Sequence, residues 1–151
     1  MVDASVALKW AVNEPGSTEA NDLLDLSRAS DLLLVAPEHI LGEIGNGLRK
    51  QVAQQALTAD SAVAAMVAIH EVGLELVAGA QRWVATLADA LCWTVTTYDA
   101  LYVRLALDLD CELVTADRRL VQAGRRARLP VVALHEPPPR PIPNQGTPPG
   151  V

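Results

Sequence analysis

Short apolar segments alternate with longer segments of helical periodicity along most of this chain, and no other feature constrains its fold as strongly. Four segments have the length and composition of buried strands, namely 32–35, 75–77, 112–115 and 131–134. Six others place apolar residues three and four positions apart, as amphipathic helices do, namely 17–28, 38–53, 58–72, 81–91, 98–109 and 118–127. Strands that alternate with helices form mainly parallel sheets covered on both faces. The sequence therefore predicts an α/β fold.

Residues at several helix starts support this interpretation. Ser17 and Thr58 precede acidic residues of a first turn, and their side chains can accept hydrogen bonds from free backbone NH groups there. Pro37 is predicted in the first turn of the following helix, where proline is tolerated.

The composition limits the size of the protein and excludes some functions. A chain of 151 residues suits one domain. Its net charge of −6 argues against nucleic-acid binding through overall basicity. Cys92 and Cys111 lack a CxxC motif or a nearby His, so buried free thiols are predicted. The first residues lack the basic stretch and apolar run typical of a signal peptide, and the sequence has no apolar run of about 18 residues. A soluble cytoplasmic protein without membrane contact is therefore expected.

The composition changes abruptly after His135. Seven of the ten prolines lie in residues 136–151, with few apolar residues among them. We therefore predict one α/β domain over residues 1–135 and a disordered or extended Pro-rich tail over residues 136–151.

Three aspartates stand where a predicted strand or loop gives way to a helix. Asp3 follows Val2, Asp99 opens the helix 98–109, and Asp117 follows the strand 112–115. Ligands bind outside the carboxyl ends of parallel strands, so these carboxylates are expected to meet, and like charges that meet favour a cation among them. Taken singly, each aspartate could equally be a helix cap without a catalytic role.

Glu43 is a fourth candidate, inside the predicted helix 38–53. It lies beside the apolar stripe formed by Ile40, Ile44 and Leu48 and is expected to be half-buried. The alternative is a surface glutamate paired with Lys50. Four acids suit one or two Mg²⁺ ions. The reaction class that such a site indicates is hydrolysis of a phosphodiester bond.

Four strings in the right order resemble a PIN domain of the VapC toxin type over about residues 2–134. They are VDASVALKW at 2–10, EIGNGLR at 43–49, TYDALY at 97–102 and LVTADRRL at 113–120. The resemblance implies a three-layer α/β/α sandwich with a four- or five-stranded, mainly parallel sheet. It also implies an endoribonuclease that depends on Mg²⁺ or Mn²⁺.

The same resemblance implies roles for particular residues and partners. The metal and catalytic residues would be Asp3, Glu43, Asp99 and Asp117, and the supporting polar residues Thr115, Asn46 and Glu14. VapC-type toxins cleave tRNA or ribosomal RNA, usually form homodimers, and are neutralised by a VapB-type antitoxin that fills the acidic pocket.

Two features depart from the family pattern. Only Met1 and Val2 precede the first aspartate, so either the first strand is completed after Asp3 or the native chain starts upstream. Gly42, Gly45 and Gly47 fall within one predicted helix. Each glycine lowers helix stability by about 1 kcal/mol relative to Ala. Close approach of another backbone, at a dimer interface, would explain them.

Basic residues near the candidate acids offer contacts for RNA. Arg49 and Lys50 follow Glu43, and five arginines follow Asp117, namely Arg118, Arg119, Arg125, Arg126 and Arg128. They form either a phosphate track or an ordinary solvated helix face. The tryptophans and tyrosines mostly have core spacing, so no base-stacking platform is predicted.

The preferred hypothesis is RNA hydrolysis by a metal-activated water, with Asp3, Asp99 and Asp117 as ligands and Glu43 as a ligand or water-orienting base. The alternative is a non-catalytic PIN-type interaction module whose acidic pocket binds a partner's arginine. Two other classes of protein fit the sequence poorly. A receiver domain would need paired acids after its first strand. A haloacid-dehalogenase-like phosphatase would need a second aspartate at position 5. Ala4 and Ser5 occupy those places.

Overall fold

The computed structural model describes residues 1–29 and 32–135, and most of these residues are helical. The α-helices of this part are α1 (Ala4–Ala7), α2 (Ser17–Ala29), α3 (Ile40–Ala53), α4 (Ala59–Glu71), α5 (Trp83–Trp93), α6 (Thr97–Asp108) and α7 (Arg118–Ala127). Turns of 3-10 helix occupy Leu8–Trp10 and Ala80–Arg82. The strands are β1 (Val35–Pro37), β2 (Glu75–Val77), β3 (Leu113–Thr115) and β4 (Val131–Ala133). The predicted tail, residues 136–151, lies outside the described residues.

The strands form two parallel ladders joined through one residue. Strand β1 pairs with β2, and β3 pairs with β4. Between them, Val2 donates from its backbone N to the carbonyl of Val35 at 3.0 Å. It also forms a parallel bridge with Val114, whose N donates to the carbonyl of Met1 at 2.9 Å. The row is therefore β2-β1-Val2-β3-β4, and the predicted α/β fold with parallel strands is confirmed.

The helices pack on this row of strands through a core of aliphatic side chains. Helix α3 buries Ile40, Ile44 and Leu48, the stripe that the periodicity predicts. Helix α6 is buried on most of its surface, with Leu101 and Leu105 fully enclosed, which is typical of a central helix. Asp99 lies in the first turn of α6. Because α6 is anchored in the core, the core also fixes the position of this candidate acid.

The first strand and Pro37 differ from prediction. Strand β1 begins at Val35 rather than at residue 32, and Leu32 and Leu33 are exposed. Pro37 ends that strand, and α3 begins only at Ile40, so its assignment to a helical first turn is wrong. An apolar run that continues through Ala36 gives no signal for where hydrogen bonding starts, and proline is tolerated at a strand end.

The cysteines and glycines sharpen two other predictions. Both cysteines are free, but Cys92 is exposed and Cys111 half-buried, so their predicted burial is wrong. A Cβ on Gly47 would lie 2.7 Å from Leu8 Cδ1, so the side chain of Leu8 lies close against that glycine. Nothing within the described part of the protein approaches Gly42 or Gly45 in this way. Among the described helices, none combines the length and apolarity needed to cross a bilayer.

Candidate active site

Asp3 lies at the middle of the sheet, directly after Val2, and is almost fully buried. It caps α1, since its Oδ1 accepts a hydrogen bond from the backbone N of Val6 at 3.2 Å and another from Ser5 Oγ at 2.6 Å. Its Oδ2 accepts a hydrogen bond from Thr115 Oγ1, at the end of β3. Both oxygens of this carboxylate are therefore held in place by neighbouring residues.

Burial raises the pKa of Asp3 from 3.8 to about 6. The hydrogen bonds from Ser5, Thr115 and Val6 lower the pKa, whereas the negative charge of Asp99 raises it. Desolvation dominates because a carboxylate without water around it is poorly stabilised. A cation close to Asp3 would favour its charged form.

Asp99 and Asp117 lie at the starts of two long helices. Thr96 precedes α6 and forms a capping box with Asp99, in which Asp99 Oδ2 accepts hydrogen bonds from Thr96 Oγ1 at 2.7 Å and from Thr96 N at 3.3 Å. Asp117 caps α7, and its Oδ1 accepts a hydrogen bond from Arg119 N at 2.7 Å. The helix-capping interpretation is therefore right for these residues.

Capping leaves part of each side chain available. Within the described part of the chain, Oδ1 of Asp99 and Oδ2 of Asp117 accept no hydrogen bond. Asp117 is exposed, while burial and the charge of Asp117 raise the pKa of Asp99. Capping a helix and binding a ligand are thus compatible in these two residues.

Glu43 is half-buried, as predicted, but its partners differ from prediction. Its Oε2 accepts a hydrogen bond from Tyr102 Oη at 2.7 Å and lies 3.5 Å from His39 Nε2. Lys50, the partner considered from sequence, is exposed. Burial, followed by the charges of Asp3 and Asp99, raises the pKa of Glu43. Burial lowers the pKa of His39.

The four acids form one connected negative cluster, because each repels at least one other strongly enough to raise a pKa in the pair. Asp3 and Asp99 act on Glu43, and Asp117 acts on Asp99. Carboxylate oxygens are the ligands that Mg²⁺ and Mn²⁺ prefer, so the donor chemistry suits these ions. Among the described residues, however, no three His, Cys, Asp or Glu side chains lie close enough together to enclose a metal ion.

A cleft of about 470 Å³ opens beside the cluster. It is lined by Ala90, Leu91, Thr94, Val95, Thr96, Asp99, Asp117, Arg119 and Leu120. Two of the four acids therefore face this cleft, together with one of the predicted RNA-binding arginines.

The remaining predicted residues are only partly brought to this site. Thr115 contacts Asp3 directly and also accepts a hydrogen bond from Asp117 N at 3.0 Å. Glu14 instead pairs with Lys9 at 2.6 Å, and Asn46 is exposed one turn beyond Glu43. The basic residues Arg49, Lys50, Arg118 and Arg119 are exposed.

Sequence reasoning missed four residues that contact the acids. Thr96 was recognisable, since it stands three residues before Asp99, the spacing of a capping box. His39 stands four residues before Glu43, a spacing that places two side chains together on a helix. Ser5 and Tyr102 have no comparable signal, because their contacts depend on the turn after Asp3 and on the tertiary fold that brings α6 to Glu43.

Comparison with known proteins agrees with this geometry. The family model described as "PIN domain" matches residues 1–126, a range that contains all four acids. A search of curated proteins found no match. Since this match covers well over half of the chain, the chain belongs to the PIN-domain family.

Proposed function

We propose that this protein is an endoribonuclease dependent on Mg²⁺ or Mn²⁺ and the toxin component of a type II toxin-antitoxin system. PIN domains are typically nucleases and generally use divalent metal ions. The observation that carries the proposal is that Asp3, Glu43, Asp99 and Asp117 lie within range of one another's charge, with Asp99 and Asp117 lining one cleft. Such a concentration of negative charge in a partly buried site calls for a cation.

The four acids have different roles in this proposal. Mg²⁺ usually binds one or two carboxylates directly and keeps several waters, so Asp3, Asp99 and Asp117 would hold the ion directly or through water. Glu43 would hold it in the same way or orient the attacking water. The metal would lower the pKa of that water and neutralise charge on the phosphate. Tyr102 keeps Glu43 directed into the site through its hydrogen bond. Ser5 and Thr115 do the same for Asp3.

RNA of the tRNA or ribosomal class is the proposed substrate. Arg119 lines the cleft beside Asp99 and Asp117 and would contact a backbone phosphate. Arg49, Lys50 and Arg118 would extend this contact along the exposed surface. The domain that performs the reaction is proposed to comprise residues 1–135, with residues 136–151 as a tail.

Binding partners follow from the family and from the exposed apolar surface. PIN domains often have antitoxin partners, and a VapB-type antitoxin would occupy the acidic cleft. Val84, Leu87 and Leu91 form an exposed apolar stripe on α5. This stripe supports contact with a second copy of the chain or with the antitoxin.

The alternative function is a non-catalytic module that binds a partner's arginine. One observation favours it: the cleft combines Asp99 and Asp117 with the apolar side chains of Leu91, Val95 and Leu120. This combination suits a guanidinium on an aliphatic stem.

The two functions are separated by incubating the purified protein with total RNA and Mn²⁺ or Mg²⁺ and mapping the cut sites. The endoribonuclease hypothesis expects cleavage that EDTA prevents and that Asp99→Asn abolishes. Intact RNA under all conditions would support the binding module. Cleavage that persists in Asp99→Asn would refute the assigned site.

A further inference from the structure

Four aromatic rings cluster beside the acids. His39 lies 5.0 Å from Tyr102, 5.3 Å from Tyr98 and 5.7 Å from Trp83, measured between ring centroids. Trp83 also meets Tyr98 edge-on, at 5.6 Å and 87°. These are the distances and angles of favourable aromatic pairs, so each ring helps to fix the orientation of the others.

The aromatic cluster and the acid cluster share residues and contacts. Tyr102 donates a hydrogen bond to Glu43, and His39 lies 3.5 Å from the same carboxylate oxygen. Tyr98 immediately precedes Asp99 on α6. A molecule bound on the rings would therefore lie next to the proposed reaction centre.

Tyr98 is the ring of this cluster that faces solvent. It is 51% exposed, whereas Tyr102 is buried and His39 and Trp83 are half-buried. An exposed aromatic side chain held by neighbours on two sides is a rigid apolar surface, and it loses little conformational entropy when a planar group stacks on it. The sequence placed Tyr98 among residues of core spacing, and its exposure is new information.

We propose that Tyr98, braced by Trp83 and His39, is a stacking platform for an unpaired RNA base next to the bond that is cut. This inference rests on the proposed function, because it takes RNA as the substrate. Proteins read single-stranded RNA by stacking its bases on aromatic side chains. The substrate would accordingly be unpaired, as in a loop or at an end, where it enters the site.

The charges around the ring favour a base over the other groups of the RNA. Glu43 and Asp99 would repel a phosphate at this position, whereas a base is neutral. Arg119 lines the cleft together with Asp99 and offers a place for the phosphate.

Binding measurements test the platform separately from cleavage. In an Asp117→Asn background with Mg²⁺, the Kd for a single-stranded RNA carrying 2-aminopurine is measured by anisotropy, next to a duplex of the same sequence. Adding Tyr98→Ala is expected to weaken single-strand binding about 5- to 150-fold and to remove the fluorescence quenching that stacking causes. Tyr98→Phe keeps the ring and is expected to bind within about twofold of its parent. Val63→Ala, an exposed residue on α4, is the surface control.

The outcomes separate this inference from the proposed function. Equal binding by Tyr98→Ala and its parent overturns the platform, as does failure of both to bind single-stranded RNA. Loss of binding to an arginine-containing peptide, with RNA binding unchanged, would assign Tyr98 to a protein partner and also overturn it. Tyr98-dependent binding by a wild-type protein that cuts no RNA would support the platform while refuting the nuclease.

Discussion

The inner and outer acids of the cluster are held in contrasting ways. Asp3 is 6% exposed and uses both carboxylate oxygens in hydrogen bonds to Ser5, Val6 and Thr115. Asp99 and Asp117 use one oxygen each to cap a helix and face a cleft. The inner acid is thus part of the folded core, and the outer acids are capping residues that can also bind a ligand. Stability and activity are therefore expected to respond differently to changes at the two places.

The largest expected effect is on activity, at an outer acid. Asp99→Asn keeps a polar side chain at the capping position but removes its negative charge, and cleavage should fall by at least about 1000-fold. Initial rates on a defined RNA in Mg²⁺ measure this, with circular dichroism to verify the fold. The matched control is Asp60→Asn, since Asp60 also lies in a helical first turn, in α4 after the cap Thr58. Equal losses in the two variants would contradict the special role of Asp99.

The next effect is on stability, at the inner acid. The pKa of Asp3 is about 6 in the folded protein and 3.8 in the unfolded chain, so the folded state holds this proton more tightly. The resulting stabilisation is fully present below pH 3.8 and is lost as the pH rises through about 6. In EDTA, Asp3 should thus lower the free energy of unfolding by about 3 kcal/mol over this window.

Urea denaturation at several pH values between 4 and 7 measures this slope. Asp3→Asn lacks the titrating group, so its stability should change less over the same range. An equal or steeper decline in Asp3→Asn would show that Asp3 is not the source. Mn²⁺ should restore stability to the wild-type protein at pH 7, where the carboxylate is charged.

A smaller effect is expected where the inner and outer acids are connected. Thr115→Val removes the hydroxyl that donates to Asp3 and accepts from Asp117 N, and leaves the buried Asp3 Oδ2 without its donor. The free energy of unfolding should fall by about 1–3 kcal/mol, and the cleavage rate should fall as well. Thr115→Ser restores the hydroxyl and should recover most of both losses. Failure of Thr115→Ser to recover either would show that packing of the methyl group matters more than the hydrogen bonds.

The smallest effect is expected from the cap of an outer acid. Thr96→Ala removes the N-cap of α6 and should destabilise the protein by about 1 kcal/mol, while Asp99 retains its charge. Thermal unfolding should show a lower Tm, while the cleavage rate at saturating Mg²⁺ decreases far less than in Asp99→Asn. A complete loss of cleavage would mean that the capping box itself positions Asp99 for catalysis.

Local signals were sufficient to predict the outer acids. Helix α7 spans the residues predicted from its periodicity, so Asp117 was placed correctly as its cap. Asp99 was predicted to open α6, and the structure makes it the third residue after the cap Thr96. Both predictions depend on residues a few positions apart in the chain.

The surroundings of Glu43, the start of β1 and the exposure of Tyr98 could not be predicted from such local signals. The hydrogen bond between Glu43 and Tyr102 joins residues 59 positions apart, and only the tertiary fold brings them together. The start of β1 was misplaced because apolar residues continue on both sides of its true boundary. The exposure of Tyr98 was missed because helical spacing does not distinguish a core ring from one at the surface.

The contact of Val2 with Val114 also affects how early the site can form during synthesis of the chain. Asp3 and Thr115, which meet through this contact, are separated by 112 positions, so the inner acid acquires its partner only after β3 has been synthesised. Contacts between such distant residues form late and slowly during folding. A growing chain on the ribosome would therefore lack a complete acid cluster until almost the whole domain had emerged. For the proposed endoribonuclease, this delay would protect the surrounding RNA from premature cleavage.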